Sequence, residues 1–352
     1  MVIKVALYGC NLDKYALQSR AVNRPLIATN HIEQTGEKSI MKMTKKKMAI
    51  GAAIIVALVV LWSVFKPTPA EATEMKVYGS LNYMLSNNED ANGTATAKAE
   101  NNGSSIGVDF SSNLAEGING FAKLEVEIDA DDSGSSPFDS KLAFAGVDMG
   151  NAGVLSAGRQ DSVFKGAVTS KTDVFPEFGG SAAQKLFSRD SHTIVYSNNI
   201  GAVQIDNLMK VDGSTGKSGI DVYETAASME LTDNLNIGVA YTDDKVNSIE
   251  YKGLGASFDL TDETTIGYNH TIKTVESTNL DTKANEIVGS HTIGATTFSA
   301  GYGEIKDGNK YWTYGADKKI GENFSMYAGY EVTDKTTGTD TTSMAAGIKF
   351  TF

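Results

Sequence analysis

The chain has few of the residues from which several common functional sites are built. Its 352 residues include 1 Cys, 5 Pro, 2 Trp and 4 His. The single thiol, Cys10, lies near the start of the chain, so the rest of the sequence excludes disulfides, cysteine metal sites and cysteine nucleophiles. Acidic residues outnumber basic ones by 43 to 31, which argues against a nucleic-acid partner. We expect no cofactor and no metal.

One long apolar run stands out near the start of the chain. Residues 48–65 contain no charged side chain; Lys45, Lys46 and Lys47 precede them and the small-residue triplet 70–72 follows. A basic flank, an apolar run and small residues in this order are typical of a secretory signal peptide. We predict a signal peptide over residues 43–72, cleaved after Ala72. Because 18 residues also approach the length of a membrane helix, an uncleaved anchor is the alternative.

Residues 1–42 precede a second plausible start at Met41 or Met43 and show neither sustained periodicity nor a motif. They are either an overextended gene start or a genuine long leader. Of the 31 basic and 43 acidic residues, 10 and 4 lie in residues 1–72, so residues 73–352 keep 21 and 39, a net charge of −18. The segment after the predicted cleavage site is therefore strongly acidic.

After residue 72 the apolar residues recur with a period of two. This is the period of a β-strand, whose successive side chains face opposite sides of a sheet. Apolar residues alternate with polar or small ones in three clear segments, at Met75, Val77, Leu81, Tyr83 and Leu85, at Ala122, Leu124, Val126 and Ile128, and at Met344, Ala346, Ile348, Phe350 and Phe352. Thirteen further segments bring the expected number of strands to sixteen.

Two kinds of connection alternate between these segments. One kind is short and turn-like, as at residues 149–153 and 260–263, and the other is longer, polar and acidic, as at residues 87–102 and 273–283. Short turns at one end and long loops at the other are typical of an up-and-down outer-membrane barrel. A soluble β-sandwich would alternate similarly, but the export signal and the asymmetric connections favour the barrel. We therefore predict an all-β, 16-stranded antiparallel transmembrane β-barrel over residues 73–352, preceded by a signal helix.

The longest interruption between predicted strands, residues 160–187, carries the sequence Pro-Glu-Phe-Gly-Gly at residues 176–180. Gly158-Arg159 precedes it and Ser188-Arg189 follows it, while Val77-Tyr78-Gly79 lies in the first strand. In this arrangement the chain resembles the trimeric general porins of Gram-negative outer membranes over residues 73–352. In that family the third loop folds into the barrel and narrows the pore, and barrels of 16 to 18 strands leave an aqueous channel.

The resemblance implies a pore constriction. Asp173 and Glu177 would be its loop carboxylates, and Arg159 and Arg189 would belong to the facing basic wall; these are the only two arginines after residue 72. The loop backbone would be shaped by Pro176, Phe178, Gly179 and Gly180. Opposed charges across a narrow wet gap orient dipolar solutes.

The chain departs from the family where further basic wall residues would stand, with Ser80 and Ser105 in their place. We therefore expect a mild preference for cations. Arg159 lies on the same alternation as the apolar Leu155 and Ala157, so the alternation does not predict an inward side chain. Only the resemblance places the Arg159 side chain toward the pore.

By the same resemblance the protein is a homotrimer in the outer membrane, in contact with lipid and lipopolysaccharide. The terminal Phe350 and Phe352 resemble the signal that the barrel assembly machinery reads. The expected function is passive diffusion of small hydrophilic solutes and ions, without enzymatic activity. A substrate-specific channel is the first alternative, and a non-channel barrel acting as an adhesin or phospholipase is the second.

Overall fold

The computed structural model describes residues 74–90, 92–131, 137–213 and 219–352. The predicted leader, signal peptide and cleavage site lie outside these residues. Nearly all of the described chain is β-structure. Its strands are β1 Glu74–Glu89, β2 Ala95–Asn101, β3 Ser105–Ala115, β4 Ile118–Ile128, β5 Phe138–Asp148, β6 Val154–Asp161, β7 Arg189–Ile200, β8 Val203–Lys210, β9 Val222–Thr232, β10 Leu235–Asp244, β11 Ile249–Thr261, β12 Thr264–Val275, β13 Leu280–Ile293, β14 Thr296–Ile305, β15 Lys310–Lys319, β16 Phe324–Asp334 and β17 Thr341–Thr351.

The strands form one antiparallel sheet that closes on itself. Each strand from β3 onward pairs with its sequence neighbours, and β1 pairs with β17 from Ser80 opposite Thr351 to Asn88 opposite Ser343. The backbones of Gly79 and Phe352 extend this seam by exchanging two hydrogen bonds of 3.0 Å. Closure leaves no open edge, which is the condition for a sheet to cross hydrocarbon.

Strands β2 and β3 act as a single crossing strand. β2 pairs with the later residues of β1, starting at Tyr83 opposite Asn101. β3 pairs with the earlier residues of β1, starting at Ser80 opposite Ser105. The described residues therefore form a 16-stranded barrel, which confirms the predicted fold class. A break at residues 102–104 separates the two strands.

The predicted alternation matches the two faces of the barrel. The apolar set is exposed on the outer surface, including Leu81 at 53%, Leu124 at 51% and Ile348 at 47%. Outward aromatic rings lie close to both ends of the strands. Phe258, Phe298, Phe324 and Phe350 lie near the short turns, and Tyr241, Tyr302, Trp312 and Tyr330 lie near the opposite ends. Two aromatic bands around an apolar belt are the pattern of a barrel in a bilayer.

The connections alternate as expected, but several predicted loops are shorter. The sequence predicts a loop over residues 273–283, whereas β12 runs to Val275 and β13 begins at Leu280. Likewise β1 continues to Glu89 and β2 begins at Ala95 within the loop predicted for residues 87–102. Polar composition here reflects strands that project into water, because their side chains bond across the hairpin, as Thr274 does to Asp281 at 2.9 Å.

One segment leaves the wall between β6 and β7. It contains a short helix, α1 Val163–Ala167, and a 3-10 turn, Thr169–Thr172. Its apolar side chains pack on the inner wall in the principal buried cluster, formed by Phe164, Ala167, Val168, Ala226, Ala240 and Tyr251. We name residues 162–188 the interior loop.

None of the helices in the described part of the chain is both long enough and apolar enough to cross a membrane.

Ile287 and Ser290 provide a test of the two faces on one strand. Ile287 lies near the middle of β13 and is 50% exposed on the outer surface, whereas Ser290 has the opposite alternation. We expect Ile287→Arg to destabilise the barrel in vesicles by about 1 to 2 kcal/mol, since Ile287 faces lipid opposite Tyr302 of the aromatic band, where arginine costs less than at the centre of the bilayer. Ser290→Arg should lower the unfolding free energy of the barrel far less. Urea unfolding in lipid vesicles measures both, and equal losses would contradict the assigned faces.

Candidate pore constriction

The interior loop is anchored at its start by a buried wall carboxylate. Glu224 of β9 is fully buried, and its Oε2 accepts from the Ser162 hydroxyl at 2.8 Å and from the Val163 and Phe164 backbones at 3.1 and 3.3 Å. The Ser162 hydroxyl also caps the helix by accepting from the Lys165 N–H at 3.1 Å. A carboxylate near the first N–H groups of a helix satisfies donors that have no partner within the helix.

Beyond the helix, the loop follows a row of glycines across the inner wall. These glycines lie on β10, β11, β12, β14, β15 and β16, at Gly238, Gly253, Gly255, Gly267, Gly301, Gly315 and Gly329. A Cβ added at Gly255 would lie 2.6 Å from the Val168 carbonyl oxygen, and one at Gly301 would lie 2.7 Å from the Phe175 ring. The backbone and rings of the loop therefore occupy the space that side chains would fill at these positions.

The Pro-Glu-Phe-Gly-Gly segment has a left-handed backbone that allows it to bind the wall. Phe178, Gly179 and Gly180 have successive φ values of 64°, 78° and 70°. Backbones of this kind can turn neighbouring N–H groups toward an anion. Gly179 donates to the Glu331 carboxylate at 3.0 Å, and Gly180 donates to the Glu286 carboxylate at 2.7 Å. The motif therefore fastens the loop to two carboxylates of the wall.

Glu286 of β13 is the most heavily bonded of these anchors. It is 1% exposed and accepts from the Thr172 hydroxyl at 2.5 Å and from the Asn269 amide at 2.8 Å, besides Gly180. The Tyr311 hydroxyl also donates to it. Hydrogen bonds to a charged group contribute about 1.5 to 3 kcal/mol each, so this carboxylate holds both halves of the loop. The residues predicted for the constriction do not include Glu224, Glu286 or Glu331, although all three lie on the inward alternation of their strands.

Glu177 lies in the interior loop, against the break between β2 and β3. Its Oε2 accepts from the Asn102 side-chain amide at 2.6 Å, and the same amide also contacts the Tyr327 hydroxyl at 2.8 Å. Tyr327 in turn donates to Asn82 at 2.9 Å. Burial raises the pKa of the Glu177 carboxyl above its usual value, and the neighbouring Glu100 and Glu331 carboxylates add to the effect.

Asp173 lies in the interior loop, and Arg189 directly follows the last residue of the loop. Asp173 is exposed, and both residues line one cavity of about 320 Å³ beside the loop backbone. The Nε of Arg189 lies 3.4 Å from Asp161, which ties the two ends of the loop together. Asp173 also lines a larger cavity of about 700 Å³, which extends toward the short turn at residues 320–323.

Arg159 lies at a bulge in β6, where the pairing with β7 shifts between Gly158 and Gln160. Its guanidinium donates to the Ser140 carbonyl at 2.9 Å and to the Ser191 hydroxyl at 3.1 Å. The structure thus brings Asp173 and Arg189 to one cavity, bonds Glu177 to Asn102 and bonds Arg159 to its neighbouring strands. The roles of these four residues in a constriction stay predictions.

The inner wall of β4 and β5 carries two lysines that sequence analysis did not select. The Nζ of Lys123 lies 3.1 Å from the Oδ1 of Asp109, and the Nζ of Lys141 lies 2.8 Å from the Oε1 of Glu125. Lys123 also lies 4.5 Å from the centre of the Tyr78 ring. The alternation of β4 already placed Lys123 and Glu125 on the inward face, so this signal was present in the sequence. Each lysine is accompanied by a carboxylate, and neither adds a free positive charge to the wall.

A sequence model of the Gram-negative porin family matches residues 53–351. The chain belongs to the Gram-negative porin family. It is 26% identical over 233 residues to the putative outer membrane porin protein NmpC of Escherichia coli, covering 59% of this chain and 61% of that protein. The porin thus spans about three fifths of the length of this curated relative. With outer membrane porin PhoE of Klebsiella pneumoniae the identity is 26% over 174 residues, 48% of this chain and 41% of the relative.

Solved porins share the fold of this porin. An anion-selective porin from Comamonas acidovorans has a TM-score of 0.67 at 17% identity, covering 80% of this chain and all of that one. OmpF of Salmonella typhi, solved with daunomycin, has a TM-score of 0.66 at 17% identity over 81% of this chain and all of its own. Membership of the family places this porin in the outer membrane as a transmembrane barrel.

The glycine row provides a test of how the loop is seated. Gly255→Val should lower the unfolding free energy of the porin by about 1 to 3 kcal/mol, because the added side chain would collide with the Val168 backbone. Gly289→Val on β13 is a control for the exchange of glycine for valine in a strand, since Gly289 lies on the outward alternation with Ile287 and a Cβ there would meet no atom closer than 4.0 Å. Thermal unfolding of the detergent-solubilised barrel compares them. If both variants unfold like the unmodified protein, the loop does not rest on the wall at Gly255.

Proposed function

We propose that this porin forms a water-filled channel for passive diffusion of small hydrophilic solutes and ions, with a mild preference for cations. One observation carries the proposal: the interior loop is fastened to the inner wall from β9 to β16 and reaches the break between β2 and β3 at Asn102. The wall of β3 to β5 presents polar and ion-paired side chains such as Lys123 with Asp109. A bore narrowed by a loop and lined by hydrated groups admits solutes according to size and charge.

The preference for cations rests on the balance of charge. Residues 73–352 carry a net charge of −18 by composition, and Asp173 exposes its carboxylate beside the loop. The wall lysines Lys123 and Lys141 are each neutralised by a carboxylate. The fold alone leaves selectivity open, since an anion-selective porin shares it. Charges on outer loops contribute less, because salt screens them over about 8 to 10 Å.

We further propose that three copies assemble in the outer membrane. The structure of OmpT from Vibrio cholerae, with a TM-score of 0.65 at 15% identity over 80% of this chain and all of that one, is described as a trimer form. The outward aromatic bands would contact lipid and lipopolysaccharide. Phe350 and Phe352 project from the outer face of the closing seam, where the barrel assembly machinery could bind them during insertion.

Conductance across a planar bilayer tests the channel directly. The refolded chain from residue 73 onward should open in steps in KCl, and a salt gradient should give a reversal potential of the sign for cation preference. The current should rise in proportion to salt concentration. A current that saturates with one solute would favour a substrate-specific channel, and a correctly refolded barrel without conductance would favour an adhesin or phospholipase.

The raised pKa of Glu177 gives this proposal a pH signature. A carboxyl with a raised pKa loses its charge at a higher pH than an ordinary glutamate, so cation preference should fall in a step above the usual titration range of glutamate as pH is lowered. The titratable groups facing it are Glu100 of β2, itself bonded to Lys98, and Glu331 and Tyr327 of β16.

Glu177→Gln should remove that step and weaken cation preference at neutral pH. Glu116→Gln removes the same charge in the exposed turn between β3 and β4. This variant should leave the pH step and the cation preference unchanged. Reversal potentials measured across a pH series compare the three proteins. A step that persists in Glu177→Gln would remove this residue from the ion pathway.

A further inference from the structure

The break in the wall between β2 and β3 is a β-bulge. Two residues of β1, Leu81 and Asn82, lie opposite three residues of the break, 102–104. The Ser104 hydroxyl ties the bulge to β1, since it accepts from the Asn82 N–H at 2.9 Å and donates to the Asn82 carbonyl at 3.2 Å. A bulge bends its strand and can re-aim a side chain. Here the residue at the bend is Asn102, whose side chain reaches the interior loop.

The Asn102 amide has only one orientation that satisfies its neighbours. Its Nδ2 donates one hydrogen to the Oε2 of Glu177 at 2.6 Å and the other to the Tyr327 hydroxyl at 2.8 Å. The Tyr327 hydroxyl donates its own hydrogen to the Oδ1 of Asn82 at 2.9 Å, so its oxygen is left to accept. An ionised carboxylate can only accept. The amide therefore cannot turn over without losing both bonds, and it holds Glu177 in one position.

The groups that hold the Glu177 carboxylate are neutral. Within the described residues no lysine or arginine forms an ion pair with it at 4.0 Å or less. The wall carboxylates of Asp109 and Glu125 differ, since they pair with Lys123 and Lys141 at 3.1 and 2.8 Å. A neutral donor favours the charged form of a carboxyl without cancelling its charge. Glu177 is thus fixed in place with its negative charge unpaired.

We propose that Asn102 is a specificity-determining residue of this channel: it positions the Glu177 carboxylate, ionised and unpaired, where passing cations meet it. The inference rests on the proposed channel function and assigns the cation preference to one bulge in the wall. A lysine or arginine at this position would also bind Glu177, but it would cancel the charge. The neutral amide fixes the geometry and leaves the charge free to act on the solute.

Opposing influences act on Glu177 from the elements packed against it. The titratable groups facing it are Glu100 of β2, which is bonded to Lys98, and Glu331 and Tyr327 of β16. Burial and the repulsion of Glu100 and Glu331 raise the pKa of the Glu177 carboxyl, whereas the bond from the Asn102 amide lowers it. Loss of the amide should therefore make Glu177 take up its proton at a higher pH.

Reversal potentials measured across a pH series test this role. In Asn102→Ala the step in cation preference should move to higher pH by about one unit, because a hydrogen bond to a charged group is lost. Tyr327→Phe should move the step less in the same direction, since the amide loses the hydroxyl that orients it. Asn236→Ala is the matched control, because this asparagine lies with Gly238 on the inward alternation of β10. It should leave the step in place.

Two further variants separate positioning from a general effect on the barrel. Asn102→Lys should abolish most of the cation preference at neutral pH, because its ammonium group would pair with Glu177. Asn102→Ala added to Glu177→Gln should change the reversal potential no further, since Asn102 acts through Glu177. The heat-dependent mobility of each barrel on a gel confirms that the variants are folded.

The outcomes distinguish this inference from the channel proposal. A step at the same pH in Asn102→Ala as in the unmodified porin, or no step in the unmodified porin, would overturn the role of Asn102 and leave the channel intact. A further loss of cation preference when Asn102→Ala is added to Glu177→Gln would also overturn it, since Asn102 would then act independently of Glu177. Absence of KCl current from a refolded barrel would instead contradict the channel.

Discussion

The need to satisfy every backbone hydrogen bond shapes this porin. Hydrocarbon offers no donor or acceptor, so a sheet that crosses it has to close on itself. The pairing of β1 with β17 and the two bonds between Gly79 and Phe352 complete that closure. Once the sheet is closed, its apolar alternation faces lipid and its polar alternation encloses the bore, so the interior holds charged groups that a packed core would exclude.

The same requirement applies to the loop inside the bore. Its backbone leaves the sheet, and wall carboxylates supply the acceptors that the sheet no longer provides. Glu224 receives the first turn of the helix, and Glu286 and Glu331 receive Gly180 and Gly179. The wall glycines allow this approach because they leave room for the loop. The constraint that closes the barrel thus also fixes where it is narrowed.

This way of seating the loop distributes the charge of the bore. Glu177 is drawn toward Asn102, whereas Asp173 stays exposed. Lys123 and Lys141 of the wall each pair with a carboxylate, and Lys165, Lys185 and Arg189 share one cavity with Asp173 and Glu286.

The alternation of side chains along the chain determined the strands, their number, their outward faces and the long interruption between β6 and β7, whereas the export signal and the asymmetric connections favoured a barrel and the resemblance to porins placed the loop inside it. The strands and their faces depend on residues that are neighbours in sequence, and a period of two reports them directly. The charge partners depend on residues far apart in sequence, so only the tertiary structure decided them. No local pattern reveals that Gly180 lies against Glu286, that Glu177 reaches Asn102, or that Arg189 meets Lys185 in one cavity, since the curvature of the closed sheet brings these groups together.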